Sequence, residues 1–338
     1  MRRYAFIQLD VFTETPFQGN QLAVFPQAEG LSDAEMQAIA NEMNYSESTF
    51  VLPPADPAAL ARVRIFTPAT ELPFAGHPVI GTVFALAHVG RVQPERDGSP
   101  VIFELGVGPL SIDLLYEGAD DLASDDRLDV GQTLSFAWMR QPLPTFSAWE
   151  GDRTQLADAL GLAADDPADD LPIERGSAGV PFVYIPLRSR AALARVRPGA
   201  DLYRALGLSA PTDQTGAFLF TLADDNASEA NAPVAESTFT VYGRMFAPFL
   251  GLREDPATGS AAGPLGAYLV RHGRAQPDTQ TDGEARIVVW QGVEMGRASR
   301  LTVAVATTPD VAAPTPTISG VRVGGSSVVV AEGEVILP

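Results

Sequence analysis

Two stretches decide how the chain is read: RIFTPATELPFAGHPVIGT (Arg64–Thr82) and RMFAPFLGLREDPATGS (Arg244–Ser260). RIFTP matches RMFAP, and HPVIGT (77–82) matches DPATGS (255–260) as x-Pro-x-x-Gly-Ser/Thr. In each stretch an apolar strand leads through a loop into an apolar helix. Both helices close on Gly-Arg, at Gly90-Arg91 and Gly273-Arg274. A duplicated strand, loop and helix unit, one per domain, is the simplest explanation. This alignment sets His77 against Asp255 and Thr82 against Ser260.

Proline, with fixed φ and no N–H, suits the approach to a helix start. A glycine beside Ser or Thr lets the backbone approach a ligand, while first-turn N–H groups stay open. Such a terminus receives a carboxylate or an oxyanion. Gly76, Gly81, Thr82, Gly259 and Ser260 are therefore candidate substrate-binding residues, and His77 is held rigidly where it can hydrogen-bond a ligand. Taken singly, each motif also fits a plain helix cap and His77 a structural side chain; the duplication favours the ligand site.

Glu47, in NEMNYSESTFVL, lies between a helix and an apolar strand, flanked by Ser46 and Ser48. Partial burial can tune such a carboxylate into a general base. A solvated loop glutamate explains the same pattern equally well. His88 and His272 fall near helix ends, where imidazole complements the dipole, and read as structural. The three histidines show no metal-ligand spacing, and the words GVG (106–108) and VGG (323–325) read as turns.

Composition narrows the chemistry. A chain of 338 residues, 46% hydrophobic and 19% charged, points to two soluble globular domains. The net charge of −19 disfavours nucleic acid and anionic membrane surfaces as partners. There is no cysteine and no lysine, so thiolate, Schiff-base and phosphate-loop lysine chemistry are excluded. Acid/base work falls to Asp, Glu, His or Tyr. No apolar run reaches membrane-spanning length, and the opening MRRYAFIQLDVF reads as a strand rather than a signal peptide, so a cytoplasmic location is expected.

The period of apolar residues predicts strands at 4–11, 21–25, 48–52, 61–66, 101–105 and 110–115. Helices are expected at 32–43, with a Ser32/Glu35 capping box, and at about 78–89. The Asp-rich stretch 117–131 reads as a loop or linker, giving domains 1–131 and 132–338, with the last strand packing on the first domain. Beyond it come TLSFAWM, a helical region at 153–166, a strand at 182–187, helices near 189–207 and a strand at 217–222. ADDNASEANAP (223–233) reads as a loop, followed by the strand STFTVYGRMF and a helix at about 258–271. The tail is β: ARIVVWQ, SRLTVAV, TISGVRVGG, SSVVVAEG and EVILP.

The words DVFTETPFQGNQLAVF, MNYSESTFVLPP, RIFTPATELPFAGHPVIGT and REDPATGSAAGPLGAYL together resemble the PhzF-like family of phenazine-biosynthesis isomerases, along nearly the whole chain. That family shares the diaminopimelate epimerase-like fold. The resemblance implies an α+β protein of two similar domains related by pseudo-two-fold duplication. Each would be a mixed β-sheet wrapped around a central helix, with the active site between the two. It implies Glu47 as the acid/base that moves a proton between carbons. His77, with the backbone at Gly76, would contact the ligand, and Asp255 and Ser260 would serve the second helix start. It further implies no metal, no organic cofactor, a small carboxylate-bearing substrate and a homodimer. Related epimerases use two cysteines, which this chain lacks; a single-carboxylate proton shuttle remains, with the helix starts at Thr82 and Ser260 stabilising developing charge. The competing readings are a non-catalytic metabolite-binding or partner-binding member of the same fold, and a hydrolase triad of Ser260, His77 and Asp255. The triad lacks a G-x-S-x-G elbow.

Overall fold

The structure, a computed structural model, describes residues 1–93, 99–117, 133–208, 215–222, 239–247, 252–277, 283–308 and 316–338. It divides into two compact units, Met1–Arg140 with Gly324–Pro338, and Gln141–Val323. The boundary expected at 131/132, nearly all of the Asp-rich stretch and the loop at 223–233 lie outside the described residues.

Unit 1 runs β1 (Arg2–Val11), β2 (Asn20–Phe25), α1 (Asp33–Met43), β3 (Glu47–Leu52), β4 (Ala61–Phe66), β5 (Glu71–Leu72), α2 (Gly76–His88), β6 (Val101–Leu105), β7 (Gly108–Tyr116) and β8 (Leu134–Gln141). Helix α1 starts where expected: Ser32 accepts from the Glu35 N–H, and Glu35 accepts from the Ser32 N–H. Its Met36, Ile39 and Ala40 share one buried face. Helix α2 is different. Every residue from Gly76 to Leu86 is buried, as an all-round apolar helix must be.

Unit 2 runs β9 (Thr145–Ala148), α3 (Arg153–Ala159), β10 (Glu174–Ser177), β11 (Pro181–Pro186), α4 (Arg190–Arg195), α5 (Leu202–Ala205), β12 (Gly216–Leu222), β13 (Phe239–Ala247), β14 (Leu252–Asp255), α6 (Gly259–Arg271), β15 (Glu284–Gln291), β16 (Ser299–Thr308) and β17 (Thr317–Gly325). Its core gathers Leu156, Ile185, Leu193, Leu219 and Phe246 under α3 to α5. Helix α6 is buried from Gly259 to Val270.

The chain returns at its end: β18 (Ser327–Leu337) pairs antiparallel with β1, from Arg2 opposite Leu337 to Val11 opposite Ser327. SSVVVAEG and EVILP thus form one strand rather than two. VGG (323–325) is the end of β17, not a turn.

The duplication extends to hydrogen-bond register. In unit 1, β1–β2 is antiparallel, β2–β3 parallel, β3–β4 antiparallel, β4–β6 parallel and β6–β7 antiparallel. Unit 2 repeats those senses in β10–β11, β11–β12, β12–β13, β13–β15 and β15–β16. Arg64 faces Phe50 in one half, and Arg244 faces Leu219 in the other. Side chains repeat too. Arg64 grips Glu71 through two contacts of 2.7 Å and lies 5.1 Å from the Phe66 ring. Arg244 grips Glu254 through two contacts of 2.7 Å and lies 5.0 Å from the Phe246 ring. Each fork ties an interior strand, β4 or β13, to the short strand that leads toward the buried helix, β5 or β14.

The structure corrects the alignment of the two motifs. Helices α2 and α6 each have 13 residues, starting at Gly76 and Gly259. Gly76 therefore corresponds to Gly259, His77 to Ser260, and Leu72 to Asp255. Pairing HPVIGT with DPATGS slides one helix past the other by five residues. The slip arose because Pro-Val-Ile-Gly-Thr imitates a helix entrance while lying inside the helix.

Candidate active site

In unit 1 three chain segments bring polar side chains to one buried place. Strand β3 begins with Glu47, opposite Leu22 in the parallel β2–β3 pair. Alternation along β3 turns Glu47 and Thr49 to the face that carries α2. Thr49 and Thr82 confirm this: their hydroxyl oxygens lie 2.9 Å apart. His77, the second residue of α2, places Nε2 3.5 Å from Glu47 Oε2, with side chains 3% and 9% exposed. Asn20 opens β2, two residues before Leu22, and its Nδ2 lies 3.2 Å from His77 Nδ1.

Glu47 is thus not a solvated loop residue; it is buried at the head of a strand. Burial pushes the His77 imidazole down to about 3, against a smaller opposing effect of the backbone at Gln21. His77 is neutral at physiological pH, and its Nε2 makes no hydrogen bond among the described residues. A neutral ring beside a carboxylate can donate one proton toward it or toward a ligand. The N-cap of α2, Ala75, makes no side-chain cap, so the first-turn N–H groups beside His77 meet no capping side chain.

Gly81 and Thr82 lie elsewhere than expected. They sit in the second turn of α2, not at its start. A Cβ on Gly81 would lie 2.5 Å from Leu22 Cδ2 and 2.7 Å from Val11 Cγ2, so the glycine lets helix and sheet approach. Thr82 is fully buried and spends its hydroxyl on Thr49. Only Gly76 and His77 of the expected residues occupy the open end of the helix.

The corresponding turn in unit 2 is braced differently. Asp255 ends β14, and its Oδ2 accepts from Thr258 Oγ1 at 2.6 Å. Gln291, fully buried at the end of β15, donates to the Asp255 carbonyl at 2.7 Å and to Thr258 Oγ1 at 2.9 Å. Its Oε1 accepts from the Thr258 N–H at 3.0 Å. Gln141 Nε2 donates to the Gly259 carbonyl at 2.9 Å. Ser260, in the first turn of α6, is buried as well. Thr258 is the N-cap of α6 but gives its hydroxyl to Asp255 instead of capping the helix.

The halves also differ where it matters. The pairing register equates Glu47, three residues before Phe50, with Gly216, three residues before Leu219. Unit 2 has a glycine where unit 1 carries its carboxylate.

A protein-family model described as phenazine biosynthesis-like protein matches residues 9–333. The chain belongs to this family. It is 36% identical over 343 residues to the trans-2,3-dihydro-3-hydroxyanthranilate isomerase of Pseudomonas aeruginosa, with 100% of both chains covered. A solved Bacillus anthracis structure, described as a phenazine biosynthesis protein of the PhzF family, matches with TM-score 0.78 at 28% identity and 100% coverage of each chain. A structure described as a predicted epimerase from Pseudomonas aeruginosa matches with TM-score 0.71 at 34% identity, covering 99% of this chain and 100% of that one. The phenazine biosynthesis-like chain is an isomerase with the two-domain fold that its sequence resemblance implied.

Three polar residues of this phenazine biosynthesis-like site escape a reading by motif: Asn20, Gln141 and Gln291. Each stands at the end of an apolar strand, a position where an amide has no local reason to be. Among the described residues no three His, Asp or Glu side chains cluster as metal ligands. Among the described residues no helix is long and apolar enough to cross a membrane. His88 pairs with Glu332 at 2.7 Å and His272 with Glu174 at 3.1 Å, both structural contacts at helix ends.

Proposed function

We propose that the chain is a cofactor-independent isomerase that moves a proton between carbons of a small unsaturated or amino carboxylic acid, with Glu47 as the acid/base. The observation that carries this reading is the buried Glu47 carboxylate, 3.5 Å from a neutral His77 at the open start of α2. Glu47 removes a proton from carbon next to the unsaturated system and returns it at a second carbon. His77 donates a hydrogen bond that orients carboxylate or substrate. The open N–H groups at the α2 start receive the substrate's negative charge. Asp255 and Ser260 serve the same reaction from the duplicated turn, Ser260 as the counterpart of His77. The glycine at 216 supports a single shuttle over a two-base exchange, since the second half has no carboxylate in the place of Glu47. The Pseudomonas relative's name supplies the first substrate to try, trans-2,3-dihydro-3-hydroxyanthranilate.

The test is deuterium uptake from D2O into that compound, and into a panel of small carboxylic acids, read by mass spectrometry. Wild type takes up deuterium, and Glu47→Gln does not. Undiminished uptake by the variant removes Glu47 from the role of base. A wild type that binds but never exchanges is the non-catalytic member of the fold.

A further inference from the structure

We infer that Gly106 is a positioning residue for the open start of α2: by lacking a Cβ it lets the β6–β7 turn close on Pro73, and this contact sets where the N–H groups of Gly76 and His77 stand. The inference deepens the proposed function and rests on it for its meaning, though not for its geometry.

The contact occurs once in each half. The word GVG (106–108) carries the turn between β6 and β7. A Cβ on Gly106 would lie 2.8 Å from Pro73 Cα and 3.1 Å from the Pro73 carbonyl oxygen. The Val107 N–H donates to the same carbonyl at 3.2 Å. In unit 2, Gly292 follows β15, and a Cβ there would lie 3.0 Å from Pro256 Cα and 2.7 Å from the Pro256 carbonyl oxygen. Pro73 stands three residues before Gly76 and Pro256 three before Gly259, the first residues of α2 and α6. Register makes the glycines counterparts. Arg62 faces Glu104 across β4–β6, and Tyr242 faces Trp290 across β13–β15. Each pair lies two residues before its glycine and two before the arginine of its fork.

The two entrances differ in what else holds them. Gln291, just before Gly292, braces the α6 entrance with its side chain. Leu105, just before Gly106, has no hydrogen-bonding side chain, so unit 1 leaves that brace to the backbone of the turn. Gly106 has no positive φ, so an added Cβ acts through Pro73 rather than through left-handed strain. The turn resists, because Leu105 pairs with Gly108 and leaves a two-residue loop. Pro73 follows β5, a strand of two residues, and is the part that gives. Carbon atoms rest at about 3.5 Å, so from 2.8 Å Pro73 retreats by about 0.7 Å. Phe74 and Ala75 are buried, so the displacement passes into Gly76 and His77 instead of dissipating in a loop.

The experiment compares Gly106→Ala with Gly108→Ala in the full chain. Gly108 lies in the same turn at φ +107°, and a Cβ there meets nothing within 4 Å, so its alanine strains the turn without pressing on Pro73. One readout is the His77 amide signal of 15N-histidine-labelled protein, assigned with His77→Gln. The other is kcat for deuterium exchange into trans-2,3-dihydro-3-hydroxyanthranilate, corrected for the folded fraction from urea curves. A misplacement of about 1 Å can cost about 100-fold in rate, so Gly106→Ala should move the His77 amide signal and lower kcat by about tenfold. KM should stay within threefold, because the displaced N–H groups face charge that develops in the transition state. Gly108→Ala should lose stability and keep both readouts. A Gly106→Ala protein in which either readout stays at its wild-type value overturns the inference, as does a Gly108→Ala protein that loses both to the same degree. If Gly106→Ala does not fold, Val107→Pro, which removes the N–H bound to the Pro73 carbonyl, must move the His77 signal; an unmoved signal overturns the inference. The Glu47 assignment fails separately, through exchange that survives Glu47→Gln. A wild type that exchanges no compound defeats the proposed function, and the His77 signal alone then decides this inference.

Discussion

Replacing Thr82 by valine separates a packing role from a ligand role. Thr82 and Thr49 are fully buried, and their hydroxyl oxygens lie 2.9 Å apart across 33 residues of chain. Valine has nearly the same volume and a similar helix propensity, so neither cavity nor helix terms change much. What changes is that Thr49 loses its partner in a site closed to water. Leaving a buried hydroxyl unsatisfied costs about 1–3 kcal/mol, so Thr82→Val should lower unfolding free energy by that amount. Removing both hydroxyls leaves an apolar contact of the same shape, so the Thr49→Val/Thr82→Val protein should regain most of the loss. The double-mutant cycle then gives a coupling of about 1–2 kcal/mol. Urea unfolding of all four proteins measures it from midpoints, provided the slopes agree. Deuterium exchange should keep its kcat/KM within threefold of wild type in Thr82→Val. A Thr82→Val protein of undiminished stability whose exchange falls tenfold or more would refute the reasoning and return Thr82 to the substrate.

Two further outcomes follow from the paired structure and from burial. Glu254→Gln should destabilise by about 3 kcal/mol, since it leaves a buried guanidinium without its carboxylate, whereas Glu71→Gln should cost under about 1 kcal/mol. The exposures decide the order, 5% and 16% for Arg244 and Glu254 against 15% and 41% for Arg64 and Glu71, where Asp33 at 2.5 Å also remains; thermal or urea unfolding of the two variants checks it. For His77, burial lowers the folded value from 6.5 to about 3. Between those values the unfolded chain holds a proton that the folded chain rejects, so stability falls as pH drops through that window. The slope is up to about 1.4 kcal/mol per pH unit. His77→Gln should remove it, seen as a smaller difference between urea midpoints at pH 7 and pH 5; an unchanged difference would mean that His77 is not held neutral by the fold.

The elements were legible because their causes are local. Ser32 and Glu35 form the box that starts α1, three residues apart. The alternation of YAFIQLDV is what buries one face of β1. The duplication was legible in RIFTP and RMFAP, whose arginines hold matching register positions, whereas HPVIGT and DPATGS matched out of register. His77 was legible as one of three histidines, held beside a helix signal, whereas Glu47 stood out from a solvated glutamate only through the family resemblance.

What stayed hidden was which helix residue comes first and which polar side chains meet. Pro78-Val79-Ile80-Gly81-Thr82 carries the marks of a helix entrance, yet α2 has already begun at Gly76. Thr82 caps nothing, because its hydroxyl is held by a threonine on β3. Asn20 reaches His77, Gln291 reaches Asp255, and Gln141 reaches Gly259 across gaps of 57, 36 and 118 residues. Periodicity, caps and turns act within a few residues, so the sequence alone settled the kinds of elements, their order and their repetition. Register and burial sum contacts from distant strands, so the folded chain alone decided where the helix opens, which carboxylate has no twin, and which nitrogen of His77 faces it.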